Sequence, residues 1–399
     1  MRCNVHGKEI KMKLIHLSDL HIGKKINERS MLDEQKYILD QILEGVRAEK
    51  PDAVLISGDV YDKTTPPLEA VMLLDDFLNK LEIDGLTVLL ISGNHDSPER
   101  LSFGAKRMKK SGLYIKSVFD GDLTPVTLSD EYGEVNFYLV PFIRISDVNR
   151  VYETDFRDYT MAFLHVVEKM GIDPSKRNIL LSHQFVAGAS FSESESAIGG
   201  IDSISTVAYE PFDYTALGHI HKPQYVVNER LRYCGTPLKY SASEIGFEKT
   251  YTVVELYEKP ASDKLCRMSI RTVPLNPLHD MIKLTGSFDE LMNMSRNENG
   301  YVTEDYVYAV LTDSDYINDP ASHLRNLYPN LLSVSYKGNG RTATLYSPES
   351  EGEHNSKTPV DIFEEFYRKM HDGEEIDEDK KIILKAAIKE VWGEEGEQQ

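Results

Sequence analysis

Five short stretches of this sequence carry carboxylates, a carboxamide and imidazoles, the side chains that hold divalent ions. They are Ser18-Asp19-Leu20-His21, Gly58-Asp59-Val60-Tyr61-Asp62, Gly93-Asn94-His95-Asp96, Ser182-His183 and Gly218-His219-Ile220-His221. Singly, each is ordinary. Asp-x-His is usually a capped turn or a surface pair, and Asn and Gly in GNHD suit a tight turn. Together, Asp19, Asp59, Asn94 and five histidines (His21, His95, His183, His219, His221) suffice for two divalent transition ions bridged by one carboxylate. Gly58, Gly93 and Gly218 each precede a ligand, where the backbone must turn tightly.

Each stretch ends an apolar run of strand length. Strands are predicted at Met12–Leu17, Ala53–Ser57, Thr87–Ser92, Asn136–Val140, Asn178–Ser182, Tyr214–Gly218 and Tyr251–Tyr257. Between the early ones lie a helix at about Ser30–Glu49, with Ile38, Leu39, Ile42, Leu43 and Val46 on one face, a helix opened by Pro66-Pro67 and another after Pro98. Continuous apolar strands alternating with amphipathic helices predict a largely parallel sheet with covered faces. The strand-rich second half predicts a second sheet packed on the first. In open α/β sheets ligands sit outside the carboxyl ends of the strands, so the five stretches are expected to converge.

The composition bounds the rest. At 399 residues, two or three domains are expected. Apolar runs reach only strand length, which excludes a membrane span, and the first eleven residues lack a secretory signal. Three cysteines (Cys3, Cys234, Cys266), none in C-x-x-C, favour reduced thiols and a cytoplasmic setting. A formal net charge of -20 excludes a simple basic module that coats nucleic acid. The segment from Tyr346 onward holds sixteen acidic and seven basic residues, a net of -9. A polyanionic substrate must therefore be held locally, by ions, a few basic side chains or a partner.

The organisation expected is a leader over 1–11, a main domain over 12–275, a small α+β capping domain over 276–346, a linker over 347–358 and a helical segment over 359–393. Thr358-Pro359 opens the first tail helix with an N-cap and Pro at its first position. Its face carries Phe363, Phe366, Tyr367 and Met370, and a second helix lines up Leu384, Ile388 and Val391 beside Trp392. These helices either fold back on the body or dock on a partner helix.

The pattern D-x-H, GD, GNHD, a lone His and GH-x-H resembles the calcineurin-like metallophosphoesterase superfamily. Within it, SGDVYDKTTPP, SGNHDSPERL, FDYTALGHIHKPQ and YCGTPLKYSASE resemble the SbcD-type nuclease subunits of bacterial SbcCD complexes. The resemblance runs from Met12 to about Val273, more weakly through the small domain. It implies a two-sheet α/β metallophosphoesterase sandwich flanked by helices, with a small α+β capping domain and a C-terminal helical tail. It implies one ion on Asp19, His21, Asp59 and His221, and the other on Asp59, Asn94, His183 and His219. Manganese is the implied metal, and mixed imidazole and oxygen donors agree, since magnesium prefers all-oxygen shells. His95 is implied as the catalytic residue facing the reacting phosphate, while water activated between the ions attacks in line. Asp62 and Asp96 stand as supporting carboxylates, Asp62 with its role open between an acceptor behind a ligand and a turn residue.

The implied activity is Mn-dependent exo- and endonucleolytic DNA cleavage in repair, recombination and hairpin processing. The implied partners are DNA, an SbcC-type ATPase and a second copy of the chain, giving a homodimer within a heterotetramer. Phe363, Phe366, Ile388 and Trp392 are the expected contacts to the ATPase coiled coil. Lys283, Arg325, Lys337 and Arg341 are candidates for touching DNA from the cap. Two alternatives stand beside this reading. One is another metallophosphoesterase of the same fold, a different DNA exonuclease or a small phosphodiesterase. The other is a scaffold that has lost its ions, which would lack ligands that are all present here. The Met1–Lys11 leader is expected to be disordered or to mark an upstream start.

Overall fold

The computed structural model describes residues 12–191, 203–315, 317–337, 342–343, 376–377 and 380–381. It divides into two compact units, Met1–Leu332 and Ser333–Gln399. The first unit contains two six-stranded sheets. One comprises β1 (Met12–Leu17), β4 (Ala53–Ser57), β5 (Thr87–Ile91), β6 (Leu113–Lys116), β13 (Thr250–Leu256) and β14 (Met268–Pro274). Its order is β14-β13-β1-β4-β5-β6, parallel from β1 to β6 and antiparallel at the β13–β14 edge. The other comprises β7 (Val126–Asp130), β8 (Gly133–Val140), β9 (Arg177–His183), β10 (Tyr214–Gly218), β11 (Gln224–Tyr225) and β12 (Leu231–Tyr233). Its order is β11-β12-β10-β9-β8-β7, with β8, β9, β10 and β12 parallel.

The sheets bury one face against each other. Leu14, Leu55, Leu89 and Val254 from the first meet Phe137, Ile179, Leu181 and Ala216 from the second. Because both faces of the central strands are covered, β1, β4, β9 and β10 are mainly apolar and almost fully buried, as expected of covered parallel strands. On the outer face of the first sheet lie α1 (Leu32–Glu49) and α2 (Leu68–Ile83). The α1 face that is buried is the expected one, and the helix stops at Lys50, left-handed at φ 51°, just before Pro51. After Pro98, where one helix is expected, two four-residue turns form instead, α3 (Pro98–Leu101) and α4 (Ala105–Met108). Gly104, at φ 79°, breaks them apart. The second sheet is covered by α5 (Ile145–Tyr152) and α6 (Tyr159–Lys169). The expected α/β sandwich flanked by helices is thus the observed architecture.

A two-stranded hairpin, β2 (Lys25–Ile26) and β3 (Arg29–Ser30), turns through Asn27 and Glu28, both at positive φ. Asn27 Nδ2 donates to Leu332 O, and the Arg29 guanidinium donates to Asn330 Oδ1 and Pro329 O. Beyond β14 come β15 (Met281–Gly286), α7 (Phe288–Met292), β16 (Tyr306–Leu311) and α8 (Pro320–Arg325), with β15 and β16 paired in parallel. Strand β17 (Leu331–Tyr336) runs on into the second unit, where it pairs antiparallel with β18 (Thr342–Ala343). The expected leader over 1–11, the linker over 347–358 and Phe363, Phe366, Ile388 and Trp392 lie outside the described residues. Among the described residues, no helix is long and apolar enough to cross a membrane.

Candidate metal centre

All five stretches singled out above leave the carboxyl ends of central strands, three from one sheet and two from the other. Asp19 and His21 follow β1, Asp59 follows β4, Asn94 and His95 follow β5, His183 ends β9, and His219 and His221 follow β10. The backbone there is bent hard. Asp19, His21, Asp59 and His219 all have positive φ, at 51°, 46°, 46° and 102°, a conformation costly for residues with a Cβ. Hydrogen bonds between loops hold it: Asp19 N–H donates to Gly58 O and His21 N–H to Asp59 O, both at 3.0 Å. Two glycines let these loops close. A Cβ on Gly58 would fall on His183 Nδ1, and one on Gly218 would fall on Ser57 O.

The side chains meet in one buried pocket. Ligand atoms of Asp19, His21 and His221 lie within 4.8 Å of one another, and so do those of Asp19, Asp59 and His183. His21 Nε2 and His221 Nε2 are 3.2 Å apart. Asp59 Oδ2 is 3.7 Å from His21 Nε2 and 3.3 Å from His183 Nε2, midway between the two groups. Asn94 Oδ1 is 3.1 Å from His183 Nε2 and 2.8 Å from His219 Nδ1.

The tautomers follow from the partners. His183 Nδ1 lies 2.7 Å from Ser57 O, which can only accept, so Nδ1 carries a proton and Nε2 is the nitrogen turned toward Asp59 and Asn94. His221 Nδ1 is 3.1 Å from the Glu244 carboxylate, so its Nε2 likewise faces His21. Two nitrogens facing each other at 3.2 Å, with both other sides committed or buried, suit a shared cation. Asp19 Oδ1 accepts from His219 N–H at 2.9 Å, while Asp19 Oδ2 is buried with no hydrogen-bond partner. An orphaned carboxylate oxygen in a dry pocket is costly, and a divalent ion would satisfy it. The donor set therefore fits two imidazole- and oxygen-bound ions.

The electrostatics point the same way. Burial, aided by the Asp59 charge and opposed by nearby histidines, lifts the Asp19 carboxyl to about 6. Burial also disfavours charge on Asp59, but His183 and its hydrogen bond outweigh this and hold Asp59 well below the usual carboxylate range. Burial opposes charge on His183 too, yet Asp59 lifts it to about 9. Burial and the neighbouring His183 depress His219 to about 3, and burial, helped by His221, His95 and Lys24 against the Asp59 charge, drives His21 well below its ordinary value.

His95 is half-buried at the pocket rim, its ring edge-on to His21 at 4.9 Å. Its N–H donates to Asp59 Oδ1 at 2.8 Å, and its Nδ1 donates to Asp62 O at 2.9 Å. The Asp62 carboxylate bonds Lys24 Nζ at 2.7 Å and lies 3.7 Å from His21 Nδ1, on the side of that ring away from His221. Asp96 touches none of the pocket side chains. Its carboxylate accepts from Gly93, Val60 and Tyr61 N–H groups and so staples the β4 and β5 loops together. Burial and the charge of Asp59 raise it to about 6.

Some parts escaped the sequence. Phe142 stacks on His219 (6.2 Å, 22°) and meets His183 edge-on. Behind His221, Glu244 pairs with Lys249 at 2.6 Å, both almost fully buried. Burial raises the Glu244 carboxyl, but His221 and Lys249 overcome it and hold it at about 2. The only hint was the stretch YCGTPLKYSASE itself, whose acid gives no sign of burial. Of the basic residues considered for nucleic acid, Lys283 and Lys337 are exposed, Arg325 is half-buried and Arg341 lies outside the described residues.

Comparison with known families decides the class. The calcineurin-like phosphoesterase family matches residues 12–223, more than half the chain. The chain belongs to that family. A second family, SbcD_C, described as the type 5 capsule protein repressor C-terminal domain, matches residues 277–371. Among solved structures, a dimetal phosphatase from Danio rerio is similar at 12% identity, covering 66% of this chain and 96% of its own, with a TM-score of 0.39. A likeness that low decides nothing. For this phosphoesterase, the pocket at the strand ends is the one place where buried metal-type donors gather from both sheets among the described residues.

Proposed function

We propose that this phosphoesterase is the manganese-dependent DNA nuclease subunit of an SbcCD-type complex, cutting phosphodiesters at a two-ion site. The observation that carries the reading is the convergence of five strand ends from two sheets on one pocket with an orphaned Asp19 oxygen. The match of the SbcD_C family directly behind the phosphoesterase module supports the nuclease assignment. In this reading Asp19, His21, Asp59 and His221 hold one ion, and Asp59, Asn94, His183 and His219 the other. When bound, such ions lower the pKa of a shared water and offset the charge of the phosphodiester.

The chain's own residues then divide the work. Asp59 lies between the two groups and fixes their separation. His95 is the catalytic residue. Its Nδ1 proton is committed to Asp62 O, so Nε2 is left for the substrate. Donation from Nε2 to the phosphate or leaving oxygen therefore requires the imidazolium. Lys24 keeps the Asp62 end of this chain in place. Phe142 shields His219 and His183 from water on one side.

The acidic chain does not grip long duplexes unaided, which suits action with an ATPase and a second copy. An exposed apolar face on α2, Leu68, Val71 and Met72, with Phe103 nearby across a cavity that Val71 also lines, fits the homodimer. The deciding experiment is a labelled hairpin or blunt duplex incubated with manganese, with and without the cognate ATPase. Cleavage that needs manganese and responds to the ATPase is expected. Hydrolysis of bis(p-nitrophenyl) phosphate with no DNA cut under any condition would favour the small-phosphodiesterase alternative and refute this one.

A further inference from the structure

The stretch YCGTPLKYSASE, Tyr233–Glu244, supplies none of the ion ligands assigned above, yet it folds against the pocket. Thr236 and Glu244 from it, with Lys249 just beyond, close a buried ring around His221. Glu244 Oε1 accepts from His221 Nδ1 at 3.1 Å and from the Ser241 hydroxyl at 3.2 Å. Glu244 Oε2 takes Lys249 Nζ at 2.6 Å and lies 3.2 Å from Thr236 Oγ1. Lys249 Nζ also donates to Thr236 Oγ1 at 2.6 Å and to the main-chain oxygen of His221 itself at 3.0 Å. Thr236 N–H donates to that same oxygen. Ring and backbone of His221 are thus gripped by one charged cluster.

The burial of this cluster is what needs a reason. Glu244 and Thr236 have no exposed surface and Lys249 has 4%. An ion pair taken out of water is at best neutral for stability against apolar side chains of similar size. Packing alone would be served as well by a Met and a Leu. What apolar side chains cannot do is hold an Nδ1–H and thereby fix the Nε2 lone pair of His221 toward His21. Every arm of the cluster, Glu244, Lys249 and Thr236, makes a polar contact with His221.

The geometry points to Glu244, held by Lys249 and Thr236, as the positioning residue for His221: it sets the tautomer and the ring angle with which His221 meets its ion. This rests on the two-ion reading and deepens it. Such carboxylate–histidine supports are typically worth about 10–100-fold in metal affinity.

The test uses the full chain and manganese alone. Manganese uptake is followed by electron paramagnetic resonance, and unfolding by thermal melting, for wild type, Glu244→Gln and Glu244→Gln/Lys249→Met. In Glu244→Gln the stranded Lys249 ammonium should lower the melting temperature, and one of the two ions should bind about 10–100-fold more weakly. In the double variant the lone charge is gone, so the melting temperature should recover toward wild type while the weak ion stays weak. At manganese levels that fill the wild type, its spin-coupled pair signal should give way to that of an isolated ion. Recovery of affinity together with stability in the double variant, or wild-type affinity in both variants, overturns the positioning role while leaving the two-ion site standing. Wild-type protein that takes up no manganese overturns the site reading itself, and the role with it.

Discussion

Gly218→Ala probes the closure of the centre without touching a ligand. The added Cβ would fall on Ser57 O and stand 2.7 Å from His183 Nδ1. Ordinary carbon contacts lie at about 3.5 Å, so β4 and β10 must part by roughly 1.5 Å to admit it. That strip is fastened by Ser57 Oγ donating to Ala216 O at 2.9 Å and His183 Nδ1 donating to Ser57 O at 2.7 Å. Overpacking of a tight core costs about 1–3 kcal/mol. Weakening the bond from a buried imidazole adds about 1–3 kcal/mol. A total of roughly 2–6 kcal/mol corresponds to a melting temperature lower by about 4–24 °C in a domain of this size. The displaced His183 would leave its 3.3 Å and 3.1 Å approaches to Asp59 and Asn94. Misplacement of about 1 Å at a reacting centre can cost around 100-fold. The assay pairs thermal melting with manganese titration, and the control is Gly246→Ala, where a Cβ meets nothing within 4 Å. If both variants melt and bind manganese alike, the account of this strand crossing is wrong.

Four further outcomes are expected. His95→Asn should keep manganese uptake and lose about 10²–10⁴-fold in DNA cleavage, since it removes only the proton donor; a wild-type cleavage rate would discard His95 as catalytic. Truncation before Ser347 should abolish co-purification with the ATPase while manganese-dependent cleavage persists, so retention of the ATPase would reject the tail as its binding segment. Met72→Glu combined with Phe103→Glu should shift the protein toward monomer in light scattering, and an unchanged dimer mass would clear this face of the role. His16, buried among Tyr214, Arg232, Cys234 and Thr252, is depressed from 6.5 to about 3 by burial and then by the Arg232 charge, so only the unfolded chain gains its proton between those values; its contribution is whole above pH 6.5 and is lost as pH falls toward 3, by up to about 1.4 kcal/mol per pH unit, and urea unfolding of His16→Phe should show that slope flattened by about one proton.

The proposed ligands were legible because all of them except His21, four residues past β1, lie within three residues of a strand end whose apolar run declares itself. Asp19, Asp59, Asn94, His183, His219 and His221 needed no knowledge of long-range contacts beyond the rule that such ends converge. The layered α/β class was legible for the same reason. What supports the ligands was not. The Glu244–Lys249 pair reads in sequence like any solvated acid and base, since its burial depends on the loop after β12 folding under His221. Asp96 reads as a supporting carboxylate within GNHD, but that it supports by stapling backbone N–H groups depends on the approach of the β4 loop. The β2–β3 hairpin is too short to carry a period. The break in the helix after Pro98 was visible in Gly104, but a glycine within a helical pattern does not say whether it bends or ends it.

The strain at the centre explains why these supports exist. Four residues in left-handed or neighbouring conformations each cost of the order of 1–3 kcal/mol, and such geometry persists only where the surroundings over-determine it. Asp59 is a case in point. The Gly93 backbone passes so close to it that a Cβ on Gly93 would strike both the Asp59 carboxylate and its main-chain nitrogen. Its Oδ1 is claimed by His95 N–H, leaving Oδ2 turned toward His183 and His21. The β5 loop that supplies His95 is in turn tied to the β4 loop by Asp96. In the bridging role proposed for Asp59, the carboxylate must offer its free oxygen in one direction only, and a relaxed loop would let it rotate. The bent backbone, the absent Cβ atoms and the buried staple are therefore one device, in which conformational cost is exchanged for a fixed direction of a single oxygen.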